Sequence, residues 1–280
     1  MNGVTRGSVL LLLFLLLDPA RAGNSVNPWS ALDTPTEGPA RAIGEPSAGC
    51  LRGGRQLSAE GPGYLLMHLE RRRDWGHPAL LEVIVRLGRV VLTQGLGLLH
   101  VGDLGMVRGG PMPFGHRSHQ SGLDADIWFD LDPKAHQGAN AERSNLKAKS
   151  FLDPLSNGVN QALWRDAHLT LLRAAAEDPA VDRIFVNARI KQQLCDQAQG
   201  QREWLRKIRP WYYHEDHFHL RLRCPEDSPS CLPQEPIPPG DGCHALDYWL
   251  SKPATPTPER KSVTPPTPTL PSECRRILHE

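Results

Sequence analysis

No Lys/Arg-rich stretch with interleaved aromatics runs through these 280 residues, and 32 basic against 31 acidic side chains leave a formal charge of +1. Nucleic acid is therefore not an expected partner, because a phosphate backbone is held mainly by a concentrated basic face. Arg71-Arg72-Arg73, followed at once by Asp74 and Trp75, reads as solvated surface. No two cysteines form a Cys-x-x-Cys pair, which argues against a structural zinc knuckle or a thioredoxin-like site. No second apolar run is long enough to cross a bilayer, and no internal repeat is visible. Also missing are His-Glu-x-x-His, the helix-borne zinc site of many proteases, and the Gly-x-Ser-x-Gly elbow of serine hydrolases. A Ser-x-x-Lys stands at Ser144–Lys147. Without Ser-Asp-Asn or Lys-Thr-Gly downstream it reads as chance.

The first apolar run lies at the start. Arg6 precedes the unbroken stretch Val9–Leu17, and Ala20-Arg21-Ala22 offers small residues where a signal peptidase cuts. Residues 1–22 are therefore expected to be a secretory signal, with the mature chain starting near Gly23. Six cysteines (Cys50, Cys195, Cys224, Cys231, Cys243 and Cys274) suit an oxidising compartment. Spacing does not choose among their pairings, although Cys224 and Cys231, separated by Pro225 and Pro229, suit a local loop staple.

Periodicity outlines one α+β domain over 23–250 and a Pro-rich tail over 251–280. Residues 23 to about 60 look irregular. Leu80, Leu81, Ile84, Leu87 and Val91 recur at helical spacing between Pro78 and Gln94, and a second helix is expected over Val159–Glu177. Short strands are expected at Gly97–Asp103, Asp124–Asp130, Arg183–Asn187 and His217–Cys224, with a short helix at Arg202–Ile208. Ser251–Pro271 cannot bury a core and is expected to run extended over the surface or disordered, with Cys274 tying the tail back.

The chemistry concentrates in two strings. His116-Arg117-Ser118-His119 leads into Asp124-Ala125-Asp126, and His214-Glu215-Asp216 leads into His217-Phe218-His219, so five of the twelve histidines stand here. Alternation puts Asp124, Asp126 and Trp128 on one strand face, and His217, His219 and Arg221 on one face of another. Imidazoles and a carboxylate from two parts of a fold are the usual ligands of a catalytic zinc, with three protein ligands and an open fourth position.

These strings resemble those of the penicillin-insensitive murein endopeptidase family. The likeness rests on Gly115–Ile127, Trp75-Gly76-His77-Pro78, Arg183–Asn187, Lys191–Cys195, Arg209-Pro210-Trp211 and Leu222–Pro225, and runs from about residue 50 to the C-terminus. The family groups with lysostaphin-like and D-Ala-D-Ala metallopeptidases. The resemblance implies a small central antiparallel sheet carrying the zinc site, flanked by helices and stapled by disulfides. It implies His119, Asp126 and His219 as zinc ligands, His116 as a further residue of the metal site, and His217 and His214 as catalytic histidines. Glu215 is a base candidate ranked behind His217. Some relatives hold a second zinc through an Asp and a His ahead of the long helix, and here Phe151–Gly158 contains no histidine. The disulfides it implies are Cys50–Cys274, Cys195–Cys243 and Cys224–Cys231. The implied activity is periplasmic, zinc-dependent hydrolysis of the D-alanyl–meso-diaminopimelyl cross-link of peptidoglycan, with no serine for penicillin to trap. Two other readings stay open at this level: a D-Ala carboxypeptidase, and a non-catalytic cell-wall binding protein with a structural zinc.

Overall fold

The computed structural model describes residues 27–133, 143–254 and 269–280. The expected signal segment and most of the Pro-rich stretch lie outside the described residues. Among the described residues no helix is long and apolar enough to cross a membrane.

The strands, in chain order, are β1 (Arg41–Glu45), β2 (Ala48–Arg52), β3 (Arg55–Gln56), β4 (Glu60–Gly61), β5 (Tyr64–Leu66), β6 (Trp75–Gly76), β7 (Leu99–Val101), β8 (Asp124–Trp128), β9 (Val181–Val186), β10 (Ile208–Pro210) and β11 (His217–Leu222). The helices are α1 (Pro78–Thr93), α2 (Asp166–Glu177), α3 (Ala188–Gln197), α4 (Asp247–Leu250) and α5 (Ser272–His279). The main sheet has seven strands in the order β10-β9-β11-β8-β7-β5-β4. The expected sheet was small and antiparallel. This one is larger and mixed, because β5–β7 and β9–β10 pair in parallel. Parallel neighbours need a crossover, and α1 and α3 lie in those two connections.

α1 starts where the sequence says it should. Pro78 takes the first helical position, where a missing N–H costs nothing, and the His77 side chain accepts the N–H of Ala79 at 3.3 Å. Leu80, Val83, Ile84, Leu87 and Val91 bury one stripe of the helix. α1 and α2 cover one face of the sheet, where Ala125, Ile127, Phe218 and Leu220 point, each at 0 % exposure. The opposite face of β8 and β11 is left for polar side chains.

Three expectations need correction. Residues 41–52 form a hairpin rather than an irregular segment; the middle three residues of each strand are all buried, so no alternation marked them. The second helix begins at Asp166, seven residues after Val159, and the intervening segment is turn. Arg71 and Arg72 are exposed as expected, but Arg73 is buried and paired with Asp103. Beyond the Pro-rich stretch the chain ends in α5, whose Cys274 and Ile277 bury against Trp29, Ile43, Cys50 and Met106 in a second apolar cluster. Cys50–Cys274, Cys195–Cys243 and Cys224–Cys231 are all joined, as the resemblance implied.

Candidate metal centre

β11 pairs antiparallel with β8 so that His219 stands opposite Asp126, His217 opposite Trp128 and Arg221 opposite Asp124. Residues opposite one another share a face, so the two polar rows read from the sequence become one patch. The loop entering β8 adds His116 and His119. Gly122 makes this entry tight: its φ is +73°, and a Cβ there would meet Leu51 Cδ2 at 2.7 Å.

Asp126 is the hub. Its Oδ1 lies 3.2 Å from His219 Nδ1, 3.4 Å from His119 Nε2 and 3.6 Å from His217 Nε2. Its Oδ2 lies 3.3 Å from His116 Nδ1. Burial works against a charged Asp126. The surrounding imidazoles of His217, His119 and His116 outweigh it and hold the carboxyl well below its ordinary range.

His119 is at 0 % exposure, and among the described residues neither of its ring nitrogens makes a hydrogen bond, nor does Asp126 Oδ1, although His119 Nε2 and Asp126 Oδ1 stand 3.4 Å apart. Burying such atoms unpaired costs on the order of 1–3 kcal/mol each, so a native site of this kind implies a ligand between them. Ligand atoms of His116, His119 and Asp126 all lie within 4.8 Å of one another. Imidazole nitrogens around one carboxylate suit a divalent transition metal, zinc among them. The residues present therefore fit a metal ion. His219 Nδ1 faces the same carboxylate oxygen and completes the set of candidates.

Carboxylates hold the outer ring nitrogens. Asp124, at 0 % exposure, accepts from His219 Nε2 at 3.0 Å, from Arg221 Nε at 2.6 Å and from the His119 backbone N–H at 2.9 Å. That last bond pins His119 in a left-handed conformation, φ 68°, which a residue with a Cβ adopts only when its surroundings enforce it. Asp103 Oδ2 accepts from His116 Nε2 at 3.0 Å. Burial opposes a charge on Asp103, yet His116, Arg73 and Arg71 outweigh it and keep the carboxyl strongly depressed. Sequence reasoning assigned no role to Asp124 or Asp103. The alternation that put Asp124 beside Asp126 was a usable signal, whereas nothing local connects Asp103 with His116.

The two remaining histidines sit at the mouth. His217 is about one-fifth exposed, and its Nδ1 is 2.5 Å from Asp216 Oδ1. Burial alone would lower its pKa; Asp126 and Asp216 push it up to about 9 instead. The His214 ring lies 5.0 Å from that of His217. His214 Nδ1 donates to the Tyr212 carbonyl at 2.7 Å, which leaves Nε2 as its acceptor. Burial, reinforced by His217 and His219, lowers its pKa to about 3. Asn187 fixes this loop by donating Nδ2 to the Tyr213 carbonyl and its backbone N–H to the His214 carbonyl, both at 2.9 Å. Glu215 lies ahead of β11, so the strand alternation does not reach it, and Asp216 is the carboxylate bonded to His217 Nδ1.

Residues 42–279 match the family described as penicillin-insensitive murein endopeptidase. The chain belongs to that family. A protein of this name from Klebsiella pneumoniae is 42 % identical over 280 residues, covering 98 % of either chain. Another, from Escherichia coli, is 43 % identical over 269 residues, 95 % of this chain and 96 % of the other. The matched region of this family member spans both metal-centre strings, all six cysteines and α5.

Proposed function

We propose that this protein is a periplasmic zinc endopeptidase that hydrolyses the D-alanyl–meso-diaminopimelyl cross-link of peptidoglycan after removal of residues 1–22. His119, Asp126 and His219 would hold the ion, with His116 as a fourth residue at its edge, and His217 and His214 would be the catalytic histidines. The observation that carries this reading is the buried His119 ring beside Asp126, with no hydrogen bond to either nitrogen among the described residues, in a chain of the murein endopeptidase family. The centre is open on one side: His116 and His217 side chains keep 24 % and 21 % of their surface exposed. That favours catalysis over a closed structural site.

Zinc bound there supplies Lewis-acid polarisation of the scissile carbonyl and a more acidic attacking water. The protein's own groups carry the rest. His217 presents Nε2 toward Asp126 and is oriented from behind by Asp216, so it can carry a proton from the attacking water to the departing amine. The products are a D-alanine carboxylate and a free diaminopimelate amine, one water having been added across the amide. His214 offers its Nε2 lone pair beside His217 as an acceptor for substrate or water. No serine is acylated, so a β-lactam finds no nucleophile.

The test uses purified protein on cross-linked muropeptide dimers. Cleavage to monomers is expected to persist in benzylpenicillin and to stop with a zinc chelator. A Ser144→Ala variant is expected to behave as wild type. A covalent penicillin adduct, or full activity after the metal is stripped, would overturn the reading.

A further inference from the structure

His68 (φ 54°) and Arg72 (φ 55°), both left-handed, bracket a short 3-10 turn, and the arginines that follow one another there do different things. Arg73 Nη1 donates to Asp103 Oδ2 at 2.7 Å, Arg73 Nη2 donates to the Phe114 carbonyl at 2.9 Å, and the guanidinium lies 4.2 Å from the centroid of the Phe114 ring. Arg73 is therefore spent. Arg71 gives Asp103 only its Nη1, at 3.3 Å, and its Nε stands 3.9 Å from Glu70. Its Nη2 is uncommitted among the described residues. Arg72 makes one exposed bond, Nη2 to the Leu32 carbonyl at 3.3 Å.

These side chains rim a cavity of about 470 Å³, walled by Trp29, Trp75, Met106 and Phe114. That is within the size range of small-ligand sites, about 300–1,000 Å³. Phe114 keeps 63 % of its surface exposed, an apolar ring turned to solvent. Three guanidinium groups against two carboxylates, Asp103 and Glu70, leave the rim with one net positive charge. The cavity lies one carboxylate away from the metal centre, because Asp103 Oδ2 accepts from both Arg73 and His116.

Cationic rim and aromatic wall together complement an anion on an aliphatic frame. We propose that this cavity is a substrate subsite in which Arg71 and Arg72 take a free carboxylate of the stem peptide while Phe114 and Trp75 cover its carbon skeleton. The proposal rests on the murein endopeptidase reading and extends it to the recognition of the peptide. A planar fork with spare N–H donors is suited to a carboxylate and discriminates against the neutral amide.

The experiment compares two cross-linked stem-peptide dimers, one with free carboxylates and one with carboxamides, on wild type and on Arg72→Gln. Arg72 touches neither Asp103 nor the metal-centre histidines, so zinc content should be unchanged; Arg71→Gln is a second variant, read at matched zinc content. Wild type is expected to prefer the carboxylate dimer by roughly ten- to a hundredfold in kcat/KM, mainly through KM, the usual worth of hydrogen bonds to a charged partner. Arg72→Gln is expected to lose most of that preference, falling on the carboxylate dimer and not on the carboxamide dimer. Equal cleavage of the two dimers by wild type would overturn the subsite while leaving the endopeptidase reading intact. So would an Arg72→Gln variant that keeps the full preference. Cleavage of neither dimer by zinc-loaded wild type would overturn both.

Discussion

Asp124→Asn is the substitution that asks most of the metal centre. Asp124 Oδ1 accepts from His219 Nε2 and Arg221 Nε, and Oδ2 accepts from the His119 backbone N–H and, at 3.4 Å, from Arg221 Nη2. Every group facing the carboxylate is thus a donor. An asparagine keeps the shape but must turn an NH₂ toward one side. Facing Oδ1's partners, it confronts Arg221 and would force the proton of His219 from Nε2 to Nδ1, the atom 3.2 Å from Asp126 that should face the ion. Facing Oδ2's partners, it drops the bond that holds His119 left-handed. Either way one proposed ligand loses its orientation. Losing a carboxylate behind a metal-bound histidine typically costs ten- to a hundredfold in affinity, about 1.4–2.7 kcal/mol. Competition with a chelator of known affinity reads this directly, with near-ultraviolet circular dichroism to show that the apo variant is folded. If the variant does not fold, Arg221→Gln loosens the same carboxylate while leaving His219 its partner, and a smaller loss of zinc affinity is expected. A folded Asp124→Asn protein that binds zinc as tightly as wild type would refute the argument.

His217→Ala should retain zinc, since His217 is not among the proposed ligands, but lose about a hundred- to ten-thousand-fold in turnover; near-normal turnover, or loss of zinc, would reassign it. Cys50→Ser with Cys274→Ser removes a link across a sequence separation of 224 residues. The chain-entropy model gives such a link about 5 kcal/mol, so denaturant unfolding should shift strongly while specific activity of the folded protein stays close to wild type. Unchanged stability would show that packing of Ile277 and the bond from Arg108 Nη1 to the Ile277 carbonyl hold α5 unaided. Lys191, at 0 % exposure, donates to the carbonyls of Leu205 and Asp241, and burial lowers its pKa to about 7 from 10.5. Between those values the unfolded chain binds the extra proton, so this lysine's contribution makes stability rise with pH from about 7 to 10.5 and is flat below. Lys191→Met should flatten that rise in urea unfolding, and an equal pH slope in both proteins would exclude Lys191 as its source.

The parts of the fold that sequence revealed are those whose side chains differ in polarity from one face to the other. α1 exposes one face and buries the other, and β11 alternates polar with apolar side chains although nearly all of them are buried, so periodicity locates both to within a residue or two. The β1–β2 hairpin has buried residues pointing both ways and includes Gly44 and Gly49, so it carries no period and looks like a loop. The mixed sheet was hidden for another reason. Parallel or antiparallel pairing depends on where a crossover helix returns the chain, and no single strand encodes it.

The metal centre divides along the same line. Asp126, His217 and His219 are legible because alternation on two strands puts them on one face, and His116 and His119 because they stand immediately before one of those strands. The residues that hold them in place are less legible. Asp124 shares the alternation but looks like one more acid on a polar face. Asp103 meets His116, and Arg73 meets Asp103, only through the tertiary fold, across sequence separations of 13 and 30. A charge run read without its partners is most simply solvated; that holds for the exposed Arg71 and Arg72 and fails for Arg73, because Asp103 engages two of the three guanidinium groups and holds that of Arg73 in the interior. The third, Arg72, is then left at the rim of a cavity with donors to spare. Local sequence therefore identifies the groups able to do chemistry, while their orientation and the neighbouring place for substrate arise from contacts made only in the folded chain.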